Sequence, residues 1–280
     1  MKFNIVVDSS CDLRKLETSS EDIGFSHVPL SIIVGNDIFV DDENLDTSDM
    51  IDKIYSYKGK TGTACPSPEA WYNKFMMADE IIAITITGSL SGSYNSACLA
   101  KTMVLEKHPD KKIHVIDSLS TGPEMSLIAK KAAELAASGK DFYGVCSELE
   151  EYRKSTHLLF VLKSLENLAK NGRVSKAVAK VAGILNIQVV GIASSEGTLK
   201  LLSQCRGASK TYAKIIEEIK QRGYKGGKII LTHCLNEKAA EALKTLFIEA
   251  LGASNIDVMP SSGLCCYYAE KGGLLIGFEA

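Results

Sequence analysis

The sequence has no long uncharged apolar segment. Although 45% of its 280 residues are hydrophobic, none of its stretches approaches the roughly 20 apolar residues that a membrane-spanning helix requires. The first ten residues, MKFNIVVDSS, contain too short an apolar run before Asp8 for a secretory signal peptide. We therefore expect a cytoplasmic protein without stable membrane insertion.

An excess of positive charge is also missing. The 32 Lys and Arg residues and 34 Asp and Glu residues give a formal net charge of -2 at pH 7. Proteins that bind nucleic acids or anionic membranes as their main target carry a strongly basic surface. The composition therefore argues against nucleic acid as a partner.

The eight cysteines lack the spacing of a metal or redox site. No two of them form a C-x-x-C pair, and the five histidines do not stand at ligand spacing with them. We expect buried, reduced thiols and neither a metal nor another cofactor.

Short apolar runs alternate with helical patterns in the first half of the chain. The runs FNIVV, EIIAITIT and KIHVID, at residues 3–7, 80–87 and 112–117, are typical of buried strands. A polar turn and a predicted helix follow each run, and the helix after the third run ends at Gly139. This alternation predicts a parallel sheet with helices on its faces.

The second half of the chain predicts a mixed sheet, because consecutive strands at 185–194 and 198–205 are joined by SEG, a hairpin signal. Further strands are predicted within 157–162, 226–234, 255–260 and 272–280, and helices within 164–172, 207–221 and 236–250. We therefore predict a two-lobed α/β protein, with a parallel α/β lobe at 1–155 and a mixed-sheet α/β lobe at 156–280. Since no proline-rich linker separates the lobes, we expect them to pack closely.

Three hydroxyl-rich turns follow predicted strands of the first half. They are DSSCDL at 8–13, TGSLSGS at 87–93 and DSLSTG at 117–122. Ligands of parallel α/β sheets bind beyond the carboxyl ends of the strands. A serine at a helix start also caps free backbone N–H groups, so each turn alone is explained as a cap. Three such turns at one edge favour a pocket.

The loop at 88–93 has the features of an anion site. Gly92 lets a ligand approach the backbone closely, and the helix that follows presents unpaired N–H groups with a partial positive charge. Ser91 and Ser93 add hydroxyl donors, which suits a carboxylate or a phosphate. No lysine stands at the Walker position, so the loop is not a P-loop.

Ser91 as a catalytic nucleophile is an alternative reading of the same loop. The G-x-S-x-G elbow fails here because Leu90 occupies its centre, and nothing in the sequence nominates a triad histidine. A hydrolase or acyltransferase that uses Ser91 stays open as an alternative, as does a carrier of another anionic amphiphile.

Two further polar residues qualify as ligand contacts. Thr63 lies in a predicted loop ahead of Pro66 and Pro68, which is explained either as a surface turn or as a second hydroxyl for the same ligand. Arg206 ends a predicted strand, where an arginine reaches a carboxylate or a partner protein, or is simply solvated.

Ordered motifs along the whole chain resemble the DegV family of bacterial fatty-acid-binding proteins. The matching segments are VVDSSCDL at 6–13, VPLSIIVGNDIFVDD at 28–42, TACPSP at 63–68, LSGSYNSA at 90–97, VIDS at 115–118, LAKNGRVS at 168–175 and HC at 233–234. One motif alone is a weak signal, whereas the ordered set is specific.

The resemblance implies that the chain carries a long-chain fatty acid and presents it to a separate fatty-acid kinase. By position, the carboxylate-binding threonine and serine of the family fall on Thr63 and Ser91, and the arginine associated with the kinase falls on Arg206. The resemblance thus implies a non-catalytic carrier, with the acyl chain in an apolar tunnel between the lobes.

The sequence departs from the family pattern in two places. Ala64 stands where the family has a serine after the motif threonine. A tyrosine, Tyr268 or else Tyr267, stands near the place of the usual histidine. The mouth of the pocket is therefore expected to differ from that of other members.

Overall fold

A computed structural model describes residues 2–17, 20–175 and 186–280. Its strands are β1 (Phe3–Asp8), β2 (Ile23–Val28), β3 (Ser31–Val34), β4 (Asp37–Val40), β5 (Thr61–Ala64), β6 (Glu80–Thr85), β7 (Lys112–Asp117), β8 (Thr156–Leu162), β9 (Ile187–Ala193), β10 (Leu199–Arg206), β11 (Ile229–His233), β12 (Ile256–Pro260) and β13 (Leu274–Glu279). The helices, numbered along these residues, are α1 (Thr47–Ser56), α2 (Pro68–Phe75), α3 (Ser93–Lys107), α4 (Gly122–Ala137), α5 (Phe142–Arg153), α6 (Glu166–Lys170), α7 (Ala208–Gln221), α8 (Glu237–Leu251) and α9 (Gly263–Ala269).

The first sheet is parallel throughout and has the order β2-β1-β6-β7. Strand β1 lies inside this sheet and all six of its residues are buried, which agrees with its largely apolar sequence. The predicted parallel sheet is thereby confirmed. Strand β2 was not predicted, because Gly24, Ser26 and His27 interrupt its apolar pattern.

The second sheet is mixed and has the order β10-β9-β8-β13-β11-β12. The predicted hairpin joins β9 to β10: the Ser194 N–H donates to the Thr198 carbonyl at 2.8 Å, and Gly197 adopts φ +72° in the turn. The mixed sheet is therefore confirmed. Residue 185, where the first strand of this hairpin was predicted to begin, lies outside the described residues.

A third, three-stranded antiparallel sheet has the order β4-β3-β5. It corrects the prediction that Thr63 lies in a loop: Thr63 sits in β5 and pairs with Ile32 of β3. The prolines interrupt only the chain beyond β5, so they do not prevent the strand. Gly35, at φ +65°, begins the turn between β3 and β4, and the Gly-Asn dipeptide there is a hairpin signal readable from sequence.

Helix α4 packs between the first and second sheets. It contacts β1 and β6 on one side and β8, β11 and β13 on the other. Gly277 of β13 makes the close approach possible, because a Cβ there would lie 2.6 Å from the backbone carbon of Pro123. The close packing follows from this shared helix, whereas the division into lobes at residue 155 stays a prediction.

Two buried carboxylates connect the halves of the chain. Asp12 accepts hydrogen bonds from the Thr232 hydroxyl at 2.6 Å and from the Ser262 N–H at 2.7 Å. Asp41 accepts the first two N–H groups of α9, each at 2.9 Å. Since the start of a helix carries unpaired N–H groups and a partial positive charge, this carboxylate satisfies both.

Glu124, in the first turn of α4, is buried beside the mixed sheet. Its Oε1 accepts a hydrogen bond from the Thr156 hydroxyl at 2.8 Å. Burial raises the pKa of Glu124 to about 7, and the Thr156 bond and the charge of Arg153 oppose this rise only in part. The folded protein therefore holds this proton more tightly than the unfolded chain does.

We predict that Glu124→Gln stabilises the protein increasingly as the pH rises. The raised pKa favours folding fully below the unfolded pKa, and this benefit is lost as the pH rises through about 7. The amide keeps an acceptor for Thr156 and carries no charge, so its advantage should approach roughly 3 kcal/mol at alkaline pH. Urea denaturation across this range measures the effect.

The exposed Glu249→Gln variant is the matched control, since it removes a carboxylate from the surface of α8. It should show little change at any pH. A stability difference between Glu124→Gln and the unsubstituted protein that does not vary with pH would contradict the assignment.

Candidate functional site

A cavity lies between the parallel and mixed sheets. About 690 Å³ of space not occupied by atoms lies among its lining residues, a volume that includes open solvent at its mouth. Its apolar walls include Leu30, Ile86, Leu158, Phe160, Leu162 and Leu275. Both halves of the chain therefore contribute to one apolar enclosure.

Four polar side chains gather at one part of the cavity wall, namely Thr63, Ser91, Arg173 and Tyr268. The hydroxyls of Thr63 and Tyr268 are 2.8 Å apart, and the guanidinium of Arg173 lies 5.9 Å from the centre of the Tyr268 ring. The Arg173 Nε donates to the Leu90 carbonyl at 3.1 Å, next to Ser91. These residues all line the cavity, so polar groups gather at one part of a largely apolar wall, which elsewhere also contains the Thr121 hydroxyl.

The loop at 88–93 is held by bonds from both halves of the chain. The Gly88 N–H donates to the Asp117 carboxylate at 3.1 Å, and the Ser89 hydroxyl donates to the Glu196 carbonyl at 2.6 Å. The bond from Arg173 to Leu90 fixes it from a third side. The loop is therefore a rigid part of the cavity wall.

The two serines of this loop have different roles. Ser93 is fully buried, and its hydroxyl donates to Oδ2 of Asp8 at 2.6 Å. The Ser91 Oγ accepts the Ser93 N–H at 3.3 Å and lines the cavity. Among the described residues, none accepts the hydroxyl hydrogen of Ser91. Ser91 is thus free to donate to a ligand, whereas Ser93, predicted as a second donor, is committed to Asp8.

Gly92 precedes α3 and lies beside Cys65 rather than in the cavity lining. A Cβ at Gly92 would lie 3.0 Å from the Cys65 sulfur, so glycine lets β5 and the loop approach each other. The first turn of α3 carries no acidic side chain, and the partial positive charge of the helix start is not offset from within that turn.

The arginine brought to the cavity is Arg173 and not Arg206. Arg206 is exposed at the end of β10 and does not line the cavity. Arg173 follows α6, where Gly172 adopts φ +73° and turns the chain. The stretch LAKNGRVS predicts a helix that ends at Asn171-Gly172 and matches a family motif, but the cation directly after that helix end, a readable signal, did not single out Arg173 as a site residue.

Of the two tyrosines near the carboxyl end of the chain, one lines the cavity and the other is buried away from it. Tyr268 lines the cavity, and burial raises the pKa of its phenol while the Thr63 bond and the Arg173 charge oppose this. Tyr267 is fully buried and shares hydrogen bonds of 2.8 Å with Thr61 and Asn171. Tyr268 is therefore a protonated polar contact, and Tyr267 fixes β5 in place.

Among the residues that the structure describes, no histidine lines this cavity. Ser91 thus has no imidazole at the cavity wall that could act as its general base. The same residues contain no cluster of three or more His, Cys, Asp or Glu that fits a metal ion. None of the helices in the described part of the chain is long and apolar enough to cross a membrane.

The fold and the site define an α/β protein with a largely apolar cavity and a cluster of polar groups on its wall. The family described as "Uncharacterised protein, DegV family" matches residues 2–280, and the chain belongs to this family. A DegV domain-containing protein of Streptococcus pyogenes serotype M1 is 46% identical over 283 aligned residues, which cover 100% of both chains.

Two solved structures are similar over nearly their whole length. The fatty acid kinase (Fak) B3 protein of Streptococcus pneumoniae, loaded with linoleic acid, has a TM-score of 0.97 at 45% identity and covers 100% of this chain and 99% of its own. A DegV family protein of Eubacterium eligens, loaded with heptadecanoic acid, has a TM-score of 0.95 at 41% identity and covers 99% of each chain.

We predict that Ser93→Ala lowers stability more than Ser91→Ala does. Removing the Ser93 hydroxyl leaves the buried Asp8 carboxylate without one of its donors, at a cost of about 2 kcal/mol in the free energy of unfolding. Ser91 loses only a weak bond to a backbone N–H. Urea denaturation of both variants provides the comparison, and equal losses would show that the two serines do not differ in this way.

Proposed function

We propose that this protein binds one long-chain fatty acid, with the acyl chain in the apolar cavity and the carboxylate at its polar cluster. The observation that carries the proposal is the composition of the cavity: leucine and phenylalanine walls, with Thr63, Ser91, Tyr268 and Arg173 gathered together. An anion with a long apolar tail complements both parts.

The apolar walls would supply most of the affinity. Burial contributes about 0.8 kcal/mol per methylene, so a chain of about 14 methylenes gives about 11 kcal/mol before the costs of association. The polar groups would orient the ligand, since a hydrogen bond to a charged group contributes roughly 1.5–3 kcal/mol. Tail burial therefore sets the strength of binding and the hydroxyls set its direction.

The relatives support this ligand class. Two proteins more than 40% identical to this chain were crystallised with linoleic and heptadecanoic acid. Their near-complete coverage and high TM-scores make an equivalent cavity here the simplest expectation. A ligand of the same class fits the groups on the wall of this cavity.

We also propose that the protein is a cytoplasmic carrier that presents the carboxylate to a separate kinase. One similar structure is that of a fatty acid kinase B3 protein. The described residues of this chain offer no metal cluster for phosphoryl transfer. In this scheme the partner supplies the nucleotide and metal chemistry, and the exposed Arg206 is a contact for the partner instead of for the lipid.

We predict that the purified protein retains fatty acid from the expression host, and that the delipidated protein prefers a fatty acid to the alcohol of equal length. The double variant Thr63→Ala, Ser91→Ala should weaken acid binding by roughly 2–5 kcal/mol and narrow this preference. Its loss of binding free energy should be smaller than the sum of the losses in the two single variants, because both hydroxyls contact one ligand. Mass spectrometry of the extract and equilibrium binding measure both. Equal binding of acid and alcohol before substitution would place the carboxylate elsewhere.

The two arginines provide a matched pair of variants. Arg173→Gln should weaken acid binding by about tenfold or more while changing alcohol binding little, since it removes a cation from the cavity wall. Arg206→Gln should leave lipid binding unchanged and reduce acyl-phosphate formation by the kinase. If Arg206→Gln weakened lipid binding as much as Arg173→Gln did, the assignment of the two arginines would be wrong.

A further inference from the structure

Gly191 is a glycine that its own backbone does not require. It lies buried in β9 and is not among the described residues that adopt a positive φ, so any residue suits its conformation. The reason for glycine is instead a neighbouring ring. A Cβ at Gly191 would lie 2.2 Å from Cζ and 2.4 Å from Cε2 of Phe160.

The strand register explains this contact. Phe160 of β8 lies directly opposite Gly191 of β9 on one side and opposite Leu275 of β13 on the other. Residues directly opposite in antiparallel strands point to the same face of the sheet. Phe160 and Leu275 both line the cavity, so this row of the sheet forms part of the cavity floor.

The Phe160 ring therefore lies over Gly191 and along the floor. Leu158 and Leu162, two residues to either side on the same face of β8, also line the cavity and are buried. They confine the ring along the strand direction. A side chain at position 191 would push the ring away from β9, and the cavity beside the ring offers room for that movement.

We infer that the Phe160–Gly191 pair sets the depth of the acyl cavity and thereby selects the length and bulk of the acyl chain. The inference rests on the proposed fatty-acid function and assigns its selectivity to one pair of residues. Glycine at 191 keeps the ring low and the cavity deep. A smaller side chain at 160 deepens the cavity further, and a larger residue at 191 makes it shallower.

The size of the effect follows from the contact distances. Ordinary carbon contacts begin near 3.4 Å, so a methyl group at position 191 displaces the ring by at least about 1 Å. Each methylene that this displacement excludes from apolar contact weakens binding about fourfold in Kd. Long chains lose most, because only they fill the whole cavity.

The test measures the binding of saturated fatty acids, from about 12 to about 20 carbons, to the delipidated protein and to three variants. Gly191→Ala should weaken the longest acids by about fourfold or more relative to the shortest and shift the preferred length downwards. Phe160→Leu should shift it upwards. The double variant should return the preference close to that of the unsubstituted protein.

The double variant distinguishes an effect of the Phe160 ring from an effect of strain in the sheet. A Cβ at position 191 would also lie 2.8 Å from the Lys200 carbonyl oxygen, and this strain is the same in Gly191→Ala and in the double variant. Restored length preference in the double variant therefore supports the ring, whatever the melting temperatures of the two proteins.

Two outcomes would overturn the inference. If Gly191→Ala weakens all chain lengths equally and Phe160→Leu does not rescue it, the glycine serves only the pairing of β9 with β10, and the fatty-acid proposal stands. If the unsubstituted protein binds no fatty acid of any length, the proposed function fails first and the inference fails with it.

Discussion

The buried carboxylate of Asp8 organises the cavity wall. Asp8 ends the inner strand β1, and its Oδ2 accepts the Ile86 N–H at 2.9 Å and the Ser93 hydroxyl at 2.6 Å, while Oδ1 accepts bonds from Ser10. Burial raises the pKa of Asp8, and these hydrogen bonds oppose the rise. Because an unpaired buried carboxylate is costly, this arrangement fixes the end of β6 and the start of α3, and with them the position of Ser91.

The site exists only because the two halves of the chain pack together. Its polar residues come from β5, from the loop before α3, from the segment after α6 and from α9, and its floor comes from the mixed sheet. Asp12 and Asp41 bridge the same halves with short hydrogen bonds. Loss of this interface would therefore separate the carboxylate-binding groups from the walls that hold the tail.

Much of the fold was readable from the chain. Strands of parallel sheets are rich in apolar and β-branched residues, and turn residues mark a hairpin, so β1, β6, β7 and the β9–β10 hairpin were predicted. The three-stranded sheet was missed because its strands have only four residues each, too short for a period to show. The hydroxyl-rich turns were found because each directly follows a predicted strand.

The kinds of residue available to the site can be read from the sequence: serines and glycines after β6, a threonine before two prolines, one arginine after α6 and one at the end of β10. Which of them reach the cavity depends on how the folded chain packs. Ser91 and Ser93 are the same residue type two positions apart. They differ because the Ser91 side chain faces the cavity and the Ser93 side chain faces Asp8. Likewise Arg173 lines the cavity while Arg206 is exposed. Such choices depend on the packing of segments distant in sequence, which local propensity does not encode.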